Sequence, residues 1–202
     1  MSVSSTGLTS CRKFPVCLYY CVLHTGIFIL LILLSSCKKD NSGVPPSNEI
    51  TLNSKKLGTQ VYYSMGYSFE KGDFFQRIGS STDIDIYLVE LLKPKGELDG
   101  VQFSTNSLSE TTYGFYLNDQ FQSLAAAEDF YNNYSLAYAP EYVTLTDTVK
   151  RFQVYTFRTW KSNYVKFLVK DIRVIDNGSP ANYIEADIKY FIQQDGSENL
   201  AE

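Results

Sequence analysis

Two carboxylates two residues apart, Asp83 and Asp85 in "DIDIY", are the best-spaced acid–base pair in the chain. On a strand that spacing puts both on one face, where they could hold calcium or act as a glycosidase pair. The bland alternative is that Asp83 closes the "GSST" loop while Asp85 faces solvent or pairs with a lysine. Little else could do chemistry. The only histidine, His24, and the four cysteines, Cys11, Cys17, Cys21 and Cys37, all precede Lys38. Downstream of Cys37 this excludes Ser-His-Asp and Cys-His catalysis, and zinc or copper sites built on His or Cys. There is no GxGxxG and no phosphate loop. The expectation is a protein without catalytic residues and without a metal site.

Binding chemistry has two candidates. Met65 is the only methionine after Met1, and Trp160 sits in the short link "WKSN". A Trp at a turn can stack on a sugar or a flat ligand, or fold back over a sheet edge. The 16 tyrosines are mostly strand and core filling, though a few could line an apolar pocket with polar tips. A net charge of −4 and no basic run longer than two residues argue against nucleic acid as a partner.

The cysteines belong to a different story. Arg12 and Lys13 are the only charges before Lys38, and Phe14 to Leu34 is apolar almost throughout. A positive start, an apolar run and then small residues form a secretory signal layout. Leu34-Ser35-Ser36-Cys37 resembles the lipobox of bacterial lipoproteins. That resemblance implies cleavage before Cys37, a diacylglyceryl group on its sulfur and a fatty acid such as palmitate on its new amino group. The competing reading is a retained transmembrane helix, since the 19 residues of Val16–Leu34 would span about 28 Å. The serines before Cys37 and the polar, proline-containing stretch after it favour cleavage. Two or more acyl chains hold firmly where one is marginal. Lys38 is not the Asp that marks inner-membrane retention in some bacteria, so the outer membrane is the expected location.

Lys38 to Asn48, "KKDNSGVPPSN", has nothing to bury and reads as a tether. The expected organisation is therefore a signal peptide over 1–36, a lipidated tether over 37–48 and one β-rich domain over 49–202. Strands are expected at Ile50–Leu52, Gln60–Phe69, Asp83–Leu92, Val101–Phe103 and Tyr113–Leu117, then at Val149–Thr159, Tyr164–Ile175 and Tyr183–Gln194. Ser123 can cap one helix over "LAAAEDFYNNY", which would bury Phe121, Leu124, Phe130 and Tyr134 against the sheet. In the last strand Ile184, Ala186, Ile188, Tyr190 and Ile192 share one face, with Glu185, Asp187 and Lys189 on the other. That pattern predicts an antiparallel meander with one wet side, and Asp171 and Asp187 on solvated surface.

Two stretches of the last third carry a second resemblance. "RTWKSNYVKF" holds Arg158-Thr159, Tyr164 and Lys166, and "IKYFIQQDGSENL" holds Tyr190, Gln194, Asp195-Gly196-Ser197 and Leu200. Together they resemble the C-terminal β-meander of HmuY-type haem-binding lipoproteins, and "DIDIY" loosely resembles an Asp-Ile strand of that family. The resemblance implies an all-β domain and, in some members, capture of haem between two His or two Met side chains. This chain has no such pair after Cys37. Met65 with a tyrosine, or binding without axial ligation, is what the resemblance leaves. The expected function is non-catalytic capture of haem, a related porphyrin or another apolar ligand, with no cofactor required. The alternative is an accessory lipoprotein docking on another envelope protein. Intact-mass analysis of the membrane-extracted protein should show an N-terminus at Cys37 carrying acyl groups, and Cys37→Ser should abolish both; a native Met1 terminus or an unmodified thiol would sink the anchor.

Overall fold

The computed structural model describes residues 48–58, 64–77, 84–105, 113–178 and 181–201. All of them belong to one compact unit, Pro45–Glu202. The leader, Cys37 and the tether up to residue 47 lie outside the described residues, as do residues 60–63 of one expected strand and Asp83. Among the described residues no helix is long and apolar enough to cross a membrane.

The chain is mainly β. Its strands are β1 (Asn48–Asn53), β2 (Met65–Ser68), β3 (Asp73–Gln76), β4 (Ile86–Leu92), β5 (Leu98–Ser104), β6 (Gly114–Gln120), β7 (Gln153–Arg158), β8 (Tyr164–Ile175) and β9 (Tyr183–Gln193), with one helix, α1 (Leu124–Asn133), among the described residues. They form two antiparallel sheets, one of five strands in the order β1-β9-β8-β7-β6 and one of four in the order β3-β2-β4-β5. The meander expected for the last three strands is there, with Tyr164 opposite Gln193 and Ile175 opposite Tyr183. Asn48 is strand rather than tether, because its backbone pairs with Tyr190. The hairpin β2–β3 was not legible. Its turn needs a positive φ, which Gly72 supplies at +65°.

The expected wet face is only half wet. From Tyr164 to Val169 β8 is buried on both sides. Val165, Phe167 and Val169 face the smaller sheet and share a core with Phe69, Phe103 and Phe115. Tyr164 and Leu168 face the other way and pack with Ala127 and Tyr131 of α1 and with Phe191. Alternation along one strand shows which of its own faces is apolar, but not that a helix returns to cover the second. Ala127 and Tyr131, four residues apart, are the fully buried residues of α1. The expected Phe121, Leu124, Phe130 and Tyr134 surround them, partly buried.

Ser123 caps α1 as expected, its hydroxyl accepting from the Ala126 amide. The other end of the helix is capped by a strand residue. Lys166, on β8, has no solvent exposure. Its Nζ donates to the carbonyls of Tyr131 and Tyr134, each at 3.1 Å. It also lies 4.8 Å from the Tyr131 ring centroid and 5.5 Å from that of Phe191. An ammonium at a helix C-terminus satisfies orphan carbonyls and the negative end of the dipole together. The aromatic faces replace part of its lost hydration.

A strap of irregular chain closes one side of the sandwich. Val143 exchanges both backbone hydrogen bonds with Phe115 of β6, and the amides of Thr146 and Val149 then donate to Phe103 and Val101 of β5. The edges of both sheets are thus tied by one segment. Gly114 is required there, since at φ +135° a Cβ would collide with the Val143 carbonyl.

Lys166→Ala should lower stability by roughly 3–5 kcal/mol, because it strips two buried carbonyls of their donor and leaves a void. Lys166→Met, which keeps the packing, should recover part of that loss. The midpoint of denaturant unfolding measures both, and an alanine variant within 1 kcal/mol of the parent (roughly the net worth of one hydrogen bond) would rule out the capping role.

Candidate ligand-binding clefts

Of the acid–base pair, only Asp85 can be placed, and it does not face solvent. It is 3% exposed, at the start of β4. Its Oδ2 accepts from the Phe69 amide at 2.8 Å and from the Ser68 hydroxyl at 3.3 Å. The carboxyl organises the β2–β3 turn. Burial pushes its pKa up to about 6, against the lowering effect of the Phe69 and Glu70 amides. The next residue of that turn, Glu70, crosses to the larger sheet. It accepts from the Thr159 hydroxyl at 2.7 Å and from Asn163 Nδ2 at 2.8 Å. The two hairpin tips, β2–β3 and β7–β8, are therefore held together.

Met65 and Trp160 lie on different sheets. Met65 begins β2, half-buried, opposite Gln76. Trp160 is 50% exposed in the β7–β8 turn, its ring stacked with the ammonium of Lys161 at 5.3 Å. The tyrosines are largely internal. Tyr67 and Tyr190 share a hydrogen bond of 2.6 Å between the sheets, Tyr155 donates to Gln153, and Tyr134 bonds Thr156. Burial raises the Tyr67 and Tyr155 phenols well above their ordinary range.

Two neighbouring clefts lie instead around Phe152. This residue adopts φ +67°, a left-handed conformation that is costly for a bulky side chain. It is held there by its amide, which donates to Val169 at 2.7 Å, and by its carbonyl, which accepts from Phe121. Val169 precedes a bulge in β8, so the turn and the bulge fit each other. The left-handed residue is why β7 starts at Gln153 rather than Val149.

The first cleft, about 590 Å³, is lined by Phe152, Leu124, Ile50 and Ile188 with a charged wall that includes Lys170, Asp171 and Asp187. The second, about 530 Å³, is more apolar, lined by Leu98, Phe121, Ile172, Val174 and Ile184 together with Asp99, Lys150 and Arg151. Both volumes fall in the range of roughly 300–1,000 Å³ typical of small-ligand sites. Neither cleft includes Met65, Trp160 or a tyrosine.

Asp171 and Asp187, expected as solvated surface, are half-exposed members of an ion-pair network. Arg151 Nε lies 2.6 Å from Asp171 and donates to the Ile172 carbonyl. Arg173 binds Glu185 at 2.7 Å and pairs closely with Asp187. Its hydrogen bonds to Asp187 and Glu185 push the guanidinium pKa up, and the same contact holds the Asp187 carboxyl below the usual carboxylate range. These pairs are partly solvated, so they add little stability. They do give the first cleft a polar wall already neutralised from within.

Together these features define a two-sheet antiparallel β-sandwich with a helix on the larger sheet and paired clefts at its rim. No family model matches the chain, and no curated protein matches it significantly. Sequence reasoning placed Arg151 and Phe152 inside the expected strand Val149–Thr159 and so missed their place at the clefts, before β7 begins. The one available signal was a basic pair followed by an aromatic just before a strand.

The Asp85 carboxyl carries a pH signature whose sign is fixed. Between about pH 4 and 6 it is ionised when unfolded and protonated when folded. Folding stability should therefore fall as pH rises through that window. Asp85→Asn removes the titration but keeps an acceptor for Phe69. The stability difference between variant and parent should shift in favour of the variant by roughly 2–3 kcal/mol from pH 4 to pH 7. Parallel pH profiles of the two proteins would exclude a shifted Asp85.

Proposed function

We propose that the protein is a lipid-anchored, non-catalytic capture module of the outer membrane, with a β-sandwich that takes an apolar, partly anionic ligand at the Phe152 rim. Haem or a related porphyrin is the named candidate. The observation that carries this reading is the second cleft, whose apolar residues Leu98, Ile172, Val174 and Ile184 are joined by Lys150, by Arg151, itself paired with Asp171, and by Asp99. Such a site suits a greasy body bearing carboxylates. The strain at Phe152 supports it, since left-handed bulky residues concentrate at functional sites. The lipobox-like Leu34-Ser35-Ser36-Cys37 and the HmuY-like motifs around Trp160 and Tyr190 support the anchor and the ligand class. A porphyrin here would be held by packing and by its propionates against the basic rim, because Met65 stands away from both clefts and no histidine follows His24.

A second reading is docking on an envelope protein. It is favoured by the exposed apolar side chains Leu117, Val143 and Leu145, on β6 and on the strap paired to it.

Titration with haemin at micromolar protein should give a saturable Soret change. Val174→Asp, at a position already 57% exposed, should weaken it without unfolding the domain. No Soret change removes porphyrins from the proposal. A stoichiometric protein partner recovered from membranes, lost on Val143→Asp, with no small ligand bound, would favour docking.

A further inference from the structure

The topology fixes which end of the sandwich the tether joins. Asn48 opens β1 opposite Tyr190, near the end of β9. At that same end β8 begins, with Tyr164 opposite Gln193, and the β7–β8 turn carries Trp160. The β8–β9 turn is at the other end, beyond Ile175 and Tyr183. β8 has 12 residues, so the two ends are about 40 Å apart at ~3.3 Å per residue.

The Trp160 end has a distinctive surface. Of the large hydrophobic side chains that are exposed among the described residues, two are aromatic, Trp160 at 50% and Tyr138 at 67%. Contacts between loops bring both to this end. A Cβ on Gly196 would stand 3.8 Å from the Ser162 carbonyl, so the turn after β9 abuts the Trp160 turn. Two residues beyond Gly196, the Glu198 carbonyl accepts from the Ala137 amide, which places Tyr138 alongside.

Trp160 is also presented on a stiff mount. Thr159 N donates to the Asn163 carbonyl and Ser162 N to the Thr159 carbonyl, each at 2.9 Å. Ser162 sits at φ +65°, and Glu70 clamps Thr159 and Asn163 from the other sheet. These bonds brace the turn that carries the half-exposed ring.

We propose that this end is a membrane-contact surface, with Trp160 and Tyr138 seated in the interfacial zone of the bilayer that holds the lipid on Cys37. The proposal rests on the anchor described above. Eleven residues from Lys38 to Asn48 reach at most about 40 Å. The chain from the anchor enters the domain at the Trp160 end, so along the chain that end is the nearer one to the lipid. Trp and Tyr are the side chains that partition into the headgroup layer, apolar body inward and polar tip wet. Charge at this end is mixed, with Lys71 and Lys161 offset by Asp195 and Glu198, so the contact does not call for anionic lipid.

The chain has one Trp, which makes its emission a direct probe. The lipidated full chain in phosphatidylcholine vesicles should show a blue-shifted emission that is quenched when the lipid carries brominated acyl chains. The double variant Trp160→Phe with Val174→Trp, which moves the probe to the far end of β8, should show neither effect. Flotation of the vesicles reads the anchor separately. A chain that floats while Trp160 stays red and unquenched overturns the proposal and spares the anchor. Equal quenching at positions 160 and 174 overturns it as well. A chain that does not float removes the anchor, and the contact surface with it. Should the double variant fail to fold, the parent measurement decides alone.

Discussion

The ammonium of Lys166, enclosed between Tyr131 and Phe191 and bonded to the last carbonyls of α1, is the constraint on which the layered arrangement turns. A charge is tolerated at zero exposure only where donors and acceptors match. Here three strand-and-helix features must coincide: the register of β8, the length of α1 and the position of Phe191 on β9. A helix one turn shorter would take away the Tyr131 and Tyr134 carbonyls to which the lysine donates. A slip of one residue in β8 would send it into the core between the sheets. The residue thus selects one docking of the helix, and through it the burial of the larger sheet on both faces.

The opposite face of that sheet is fixed by aromatic packing. Phe69 lies within 5.0–6.3 Å of Phe157, Phe167 and Tyr190 by ring centroids. Tyr67 bridges the sheets through the Tyr190 hydroxyl. Polar groups are admitted to this interior where they tie one sheet to the other, as Glu70 does for the hairpin tips. Asp85 serves the same end by shaping the turn from which Glu70 projects. Its buried carboxyl is committed to structure, so the described member of the pair that looked most like chemistry in the sequence supports the scaffold.

Outside this interior the domain presents two surfaces of note. The clefts flanking Phe152 and the aromatic end around Trp160 are two such surfaces, set apart along the sheet. Phe152 lies at the turn into β7, where a bulge in β8 and a left-handed residue compensate each other. Trp160 projects where β7 turns into β8. The proposed ligand rim and the proposed lipid-facing end are compatible in one domain because they lie at different heights on the same strands.

Periodicity within a segment was enough to place β8 and β9 almost to the residue, and Ser123 with its alanine run was enough to place α1. The positions of the histidine and cysteines alone removed His- and Cys-based catalysis and metal binding from residues 38–202. These are local properties: a strand's alternation and a helix's cap are written in neighbouring residues. Asp85, Lys166 and Phe152 were misread or passed over because their roles depend on chain that returns from 16 to 35 positions away. The short strand β3 was missed because its hairpin is set by a turn rather than by a period. The shared end of Asn48 and Trp160 likewise exists only once strand order is known. Alternation reports which side of a strand is apolar; only the assembled layers decide what lies against that side, and hence whether a charge there is solvated, buried or clamped.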